Sequence, residues 1–391
     1  MFTRSAAAAS CVGFVAIGAL QALYGPAIPA FRAEFGLGPS AAGLALSAHF
    51  TGALLGVGAF HRARARTGDR LALGVGYALL AVGSLLIAFA PSWPAALAGA
   101  AVAGLGFGAV DYGLNLLFAV GFGTRGTAML NLLNAHFGVG AILGPALLGR
   151  LGPDRYPWAF AGCAVVCLAL LPGLAGVRSR PAEQTRPAPD RQPRVLPLVL
   201  AFVVIYVLHV AIETGVGGWE PTHLAAVGYG APAAAIATSG FWLAMTAGRF
   251  GAIPLSLRFT DAAIVTWCCA GMTGFLLLAA VPGAAPYAYA GVGLAIGPIF
   301  PTALPWLRRT APGGAAGAFV VAASMVGGVA FPPLLGAVIE VSGVRAVPLL
   351  LAALAAVCTT LAVSLAIRRM GSATQVLPRR ENPARRPAPR P

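Results

Sequence analysis

Asp111, Glu213 and Arg249 are the formally charged side chains that stand inside long apolar runs of this 391-residue chain, away from the ends of those runs. An acid at mid-bilayer costs on the order of 2.5–3.5 kcal/mol on insertion scales, so it normally faces a polar interior or a cavity. Asp111 lies in GLGFGAVDYGLN, where Gly104, Gly108, Asp111 and Asn115 share one helical stripe. Glu213 lies in IYVLHVAIETGVGGWEP, where Tyr206, His209, Glu213 and Gly217 form a second stripe. A carboxyl held away from water, yet able to load and release a proton, is what proton-coupled transport needs. Asp111, Glu213 and His209 are therefore the proton-coupling candidates, with His209 as the relay partner of Glu213. The blander reading of each acid is a hydrogen bond to a neighbouring helix.

The fifth apolar run begins MLNLLNAHFGVG and offers Asn131, Asn134 and His136. Counted from the turn near Arg125, Asn115 and His136 fall at similar depth on adjacent antiparallel helices. Contact is therefore predicted among Asp111, Asn115 and this Asn/His group. Asn115, Asn134, His136 and Tyr206 are read as polar lining of a substrate site, with Gln21, Tyr24, Trp242 and Phe300 supplying stacking or hydrogen bonds. Arg249, near the inner end of the eighth run, is expected to snorkel to the interface and, with Arg258, to serve in gating. Trp219, Glu220 and His223 cluster at the outer end of the seventh run. An interfacial aromatic anchor accounts for Trp219, with an extracellular gate as the alternative. His49 shows no polar partner on its own face and is read as packing.

The elements that must position these residues follow from composition. The chain is 58% hydrophobic and 9% charged, with mean hydropathy +0.82, far from the roughly 25% charge of a soluble domain. It needs lipid as its solvent. Runs long enough to cross a bilayer occupy 8–30, 41–60, 71–91, 95–121, 128–149 and 157–177, then 196–218, 232–254, 262–281, 286–306, 314–337 and 347–367. The fold class expected is an all-α membrane protein with twelve transmembrane helices in two pseudo-symmetric six-helix bundles. Its domains would be 1–177, a cytoplasmic linker 178–195, 196–367, and a disordered basic tail 368–391.

All 26 basic residues are Arg, and their placement sets orientation. With the N-terminus inside, only Arg32, Arg150, Arg155 and Arg345 fall on the outer side, a strong positive-inside bias with both termini cytoplasmic. The location expected is a bacterial inner membrane. The Arg clusters between apolar runs form no continuous basic surface of the kind that binds nucleic acid. With no Lys in the chain, a Walker A loop and a Schiff base are excluded. The GxGxG at 104–108 sits inside a span with no strand before it, so it is not a dinucleotide loop. No HExxH or GxSxG appears, and the six Cys lack pairing or zinc spacing. The chain is read as no enzyme, with no cofactor and no metal; its partners are a small-molecule solute, protons and the bilayer, and it is expected to be monomeric.

The two halves echo each other. GLGFG at 104–108 matches GLAIG at 293–297, and GVGAILGPALLG at 138–149 matches VGGVAFPPLLG at 326–336, in register from Gly140 and Gly327. Such duplication is common in secondary transporters, with sites at the repeat interface. The two-by-six plan, the Arg-rich turn 61–70 and the GPALLG turn resemble the major facilitator superfamily. DYGLN at 111–115, LNLLNAHFGVGAILGP at 130–145, AIETGVGGWEP at 211–221, FWLAMTAGR at 241–249 and GLAIGPIFPTAL at 293–304 resemble its fucose–proton symporter branch. The resemblance implies a cavity lined by the first, fourth, seventh and tenth spans, and alternating access by rocking of the halves. It also implies an important acid on the fourth span, where Asp111 stands. The branch's first-span acid corresponds, counting back from PAF at 29–31, to Gly25. The turn at 61–70 carries Arg62 where the superfamily pattern has Asp. The function expected is proton-coupled symport of a small polar solute such as a sugar. The alternative is a proton-coupled exporter of drugs or amphipathic metabolites, which glycine–proline turns such as GPALLG also fit.

Overall fold

In hydrocarbon no water satisfies a backbone N–H or C=O, so each apolar run closes its hydrogen bonds within itself as a helix. The computed structural model describes residues 2–177, 196–311 and 314–374. The helices are α1 (Arg4–Phe35), α2 (Pro39–Thr67), α3 (Asp69–Ala88), α4 (Trp93–Gly121), α5 (Gly126–Leu151), α6 (Tyr156–Leu170) and α7 (Leu196–Ala226). They continue with α8 (Ala231–Ser256), α9 (Asp261–Leu278), α10 (Ala285–Ile296), α11 (Ile299–Thr310), α12 (Gly314–Ser342) and α13 (Val347–Thr374). Eleven helical stretches among the described residues are long and apolar enough to cross a membrane. α8 spans 26 residues but carries Thr238, Ser239, Thr246 and Arg249, so it is less apolar; it packs between α5 and α10 and completes twelve crossings.

The tenth crossing is broken. α10 and α11 meet at Gly297–Pro298, and Pro298, Pro301 and Pro305 each remove a backbone donor from the ladder. The seventh crossing is longer than its apolar run, since α7 continues through Trp219, Glu220 and His223 to Ala226. α13 likewise extends to Thr374, past the point where the tail was expected, because the first helix-breaking Pro comes only at 378. The expected linker and the remainder of the expected tail lie outside the described residues.

The repeated glycines show why the halves echo each other. A Cβ on Gly104 or Gly108 of α4 would meet the backbone carbonyls of His49 or Ala53 on α2. In the second half, a Cβ on Gly293 of α10 or on Gly297 would meet those of Phe241 or Met245 on α8. Gly140 of α5 lies in the same way against Val15 of α1, and Gly327 of α12 against Val207 of α7. The same glycines therefore bring the same helix pairs backbone to backbone in both halves. Without a hydrophobic drive between helices in lipid, such close packing is what holds them together. Gly108→Val is expected to destabilise the detergent-purified protein by about 1–3 kcal/mol, the usual cost of overpacking, read as a lowered midpoint of thermal unfolding. An unchanged midpoint would show that the α2–α4 contact has slack.

Candidate transport cavity

Between the halves lies a cavity of about 1010 Å³. It is lined by Gln21 of α1, Phe107 and Asp111 of α4, Asn131 and Asn134 of α5, Glu213 and Thr214 of α7, Thr246 and Arg249 of α8, Phe300 and Thr302 of α11, and Ser324 of α12, among others. It reaches Phe259 and Thr260 in the α8–α9 turn and the Asp261–Arg309 pair at its rim, so it opens at that end of the bundle.

The opposite end is sealed by contacts between the halves. Ser47 Oγ of α2 donates to the Val329 carbonyl of α12 at 2.6 Å, and the Ser40 N–H donates to Glu340 Oε1 at 2.9 Å. Gly43 and Gly336 place α2 and α12 backbone to backbone, at Pro332 and Pro39 respectively. Gly25 of α1 lies on Gly217 of α7, where an added Cβ would collide with the Gly217 carbonyl. The branch's first-span acid has no room at Gly25 in this closed arrangement.

On the first half, Asp111 starts a polar chain. Asn115 Nδ2 donates to Asp111 Oδ1 at 3.0 Å and to the Asp111 carbonyl at 2.9 Å, and Asn134 Nδ2 donates to Asn115 Oδ1 at 2.8 Å. The contact predicted between α4 and α5 thus forms through Asn134. It does not include His136, whose Nδ1 bonds the Leu132 carbonyl of its own helix at 2.8 Å. His136 shares a stripe with the exposed Leu132, Val139 and Leu143, the face that lipid covers, while Asn131, Asn134 and Ala135 take the cavity face. Gly104 and Gly108, on the same stripe as Asp111, serve the α2 contact.

On the second half, His209 Nε2 stands 3.4 Å from Glu213 Oε2. His209 is 2% exposed and packs against the Phe300 ring, so Glu213 is the member of the pair that meets the cavity. Arg249 does not snorkel away. It lines the cavity within electrostatic reach of Glu213, its guanidinium 3.6 Å from Met245 Sδ. Arg258 is exposed in the turn beyond α8 and is not among the lining residues.

Several aromatic assignments change. Tyr24 is fully buried and bonds His49 Nδ1 across α1 and α2 at 3.3 Å, packed on Phe160, so it does not line the cavity and His49 does have a polar partner. Tyr206 is 1% exposed and donates to the Phe300 carbonyl at 2.8 Å; it braces the broken tenth span instead of facing solute. Trp242 sits above the cavity beside Gln21 and Glu213. Trp219 is no interfacial anchor: it is fully buried and donates Nε1 to the Pro332 carbonyl of α12 at 3.3 Å, inside the seal. Glu220, placed by the sequence in a cluster at the outer end of the seventh run, proves to be a fully buried acid within α7, which continues past residue 218 where the apolar run was ended. Sequence reasoning missed the Asp261–Arg309 ion pair, whose one sequence signal was the Arg308–Arg309 doublet. In the first half, the equivalent turn holds an Arg64–Asp69 ion pair at 2.7 Å.

Residues 10–320 match the sequence model of the Major Facilitator Superfamily. No curated protein matches the chain. Among solved structures, the chain resembles the xylose transporter XylE from E. coli in a partially occluded inward-open conformation, with TM-score 0.75 and 13% identity over 97% of this chain and 100% of that one. It resembles the nucleoside transporter NupG with TM-score 0.74 and 12% identity, covering 92% and 98% of the two chains. The E. coli fucose:proton symporter FucP aligns with TM-score 0.61 and 18% identity over 91% of this chain and 97% of that one. At such identities the likeness is one of fold.

Proposed function

Because the chain belongs to the major facilitator superfamily and is a multi-pass membrane transporter, we propose that it carries out proton-coupled symport of a small polar solute such as a sugar, by alternating access. The carrying observation is one cavity with a carboxyl on each half. Asp111 sits at the head of the Asn115–Asn134 chain, and Glu213 faces it from the His209 side. The amides of Gln21, Asn131 and Asn134 and the hydroxyls of Thr214, Thr246 and Thr302 are donors and acceptors suited to a polyhydroxylated solute, and Phe107 and Phe300 offer flat faces for sugar rings. Asp111 and Glu213 load and release the proton, and His209 orients Glu213. Arg249 balances charge as the acids change protonation. Gln21, Asn134 and Phe300 bind the solute, with Asn115 and Trp242 supporting them.

The domains in this reading are 1–177 and 196–367, rocking about the cavity. Arg125, Arg258, Arg308 and Arg309 stand at the open end, which the positive-inside bias places in the cytoplasm. The structure is then the inward-open state of a bacterial inner-membrane carrier with both termini inside. Reconstitution into proteoliposomes tests the function with a panel of sugars and nucleosides. Addition of the substrate is expected to alkalinise the external medium as solute and proton enter together. Proton release driven instead by amphipathic cations would overturn symport and assign export.

A further inference from the structure

The sealed end holds a carboxyl that plays no part in the cavity. Glu220 lies on α7 seven residues beyond Glu213, about two turns along the same face. It is fully buried, and neither carboxyl oxygen has a hydrogen-bond partner among the described residues. Thr238 reaches it from α8, but that hydroxyl already donates to the Ala234 carbonyl at 3.4 Å. No ion pair joins it among the described residues. An ionised carboxylate taken out of water without a partner costs far more than a neutral polar group, and binding a proton removes that cost.

The groups around it point the same way. His223, one turn on, is 1% exposed and shares a hydrogen bond of 3.0 Å between its Nδ1 and Tyr289 Oη of α10. Tyr289 is within electrostatic range of Glu220, and Arg345, in the turn before α13, acts on His223. From α12, Glu340 is held by the Ser40 N–H, and from α1 and α2 the neighbours of Gly218 are the apolar Ile28 and Leu46. Below Glu220, a void of about 10 Å³ lies between Gln21, Glu213, Gly217 and Trp242. That is close to the room one water needs, and the Trp242 Nε1 beside it has no hydrogen-bond partner.

We propose that Glu220 is a further proton-binding site, separate from the two cavity carboxyls and built into the outer gate, which must be loaded for the α1–α7 and α2–α12 seal to close and whose ionised form opens it. The step is a proton transfer alone: hydronium on the outer side gives up a proton and becomes water, the carboxylate gains the O–H bond, and a charged group becomes a neutral one that can be buried. Release reverses it and returns a charge that demands water. This rests on the proton-coupled reading above, yet it can fail separately from it.

The test uses the full chain in liposomes, with its six cysteines replaced by alanine and spin labels at Ser92→Cys and Ala280→Cys, exposed positions in the sealed-end turns of the two halves. Double electron–electron resonance reads the distance between them. Without substrate, the distance is expected to lengthen as pH rises from about 6 to about 9, because deprotonation favours the open gate. Glu220→Gln and Glu220→Met, both permanently neutral, are expected to keep the short distance throughout. Asp111→Asn is expected to retain the pH response. A wild-type distance independent of pH, or a response in Glu220→Gln equal to wild type, overturns the proposal. A lost response in the Glu220 variants with coupled uptake intact in Asp111→Asn supports the gate site and removes the role given to Asp111.

Discussion

Asp111→Asn is expected to lower proton-driven solute accumulation by at least about ten-fold, the effect of one pKa unit's worth of lost coupling energy, while solute exchange without net proton movement continues. The substitution is nearly isosteric. Its amide oxygen still accepts from Asn115 Nδ2, so the chain to Asn134 survives and the α4–α5 packing is undisturbed. What disappears is the ability to change charge in the cavity. A carrier that cannot lose its proton still binds and exchanges solute but cannot spend the gradient on accumulation. The measurement is paired: pH-gradient-driven uptake against counterflow in the same proteoliposomes. Coupled uptake at the wild-type level would remove Asp111 from the mechanism. Loss of both activities together would assign it to solute binding or folding instead.

Gly25→Val is expected to trap the outer side open. The added side chain collides with the Gly217 carbonyl where α1 and α7 touch, and both partners of the collision are helix backbone, which has little freedom to retreat. Overpacking of this kind costs about 1–3 kcal/mol, which shifts a two-state equilibrium by about 5–150-fold. Because the contact exists only when this end is closed, the cost falls on one state and not the other. The label pair at positions 92 and 280 is expected to report a longer distance at every pH, and transport to fall with the population of the closed-outside state. A wild-type distance with wild-type transport would show that the α1–α7 approach is not part of the seal.

How far the site was legible depends on what carried the signal. Asp111, Asn115 and Asn134 were readable because helical periodicity and one turn length place them, and both are local properties. His136 failed by a rotation. Two residues beyond Asn134 it stands about 200° around the helix, and the sequence does not say which face of α5 meets α4 and which meets lipid, since both are apolar apart from these few side chains. Tyr24 and Tyr206 failed for a related reason: a tyrosine on an inward stripe satisfies its hydroxyl equally well with a solute or with a neighbouring helix, and here His49 and the Phe300 carbonyl take it. Arg249 was expected to escape to the interface, but the cavity between the halves reaches it first. Glu220 was legible as a member of the outer-end cluster but not as a buried acid, because an apolar run ends where polarity begins, whereas a helix enclosed by protein continues as long as its neighbours shield it.

The sequence by itself determined the solvent, the number of crossings, the duplication and the depth of each acid. Those follow from the transfer cost of side chains and the length of a helical turn, which act on one segment at a time. Only the tertiary structure decided which faces meet, which end is sealed, and that Glu220 is fully buried at that sealed end. Helices already in lipid associate through close backbone approach and shape, not through hydropathy, so the choice of partner face is written in contacts such as Gly25 on Gly217 that have no meaning until both helices are in place.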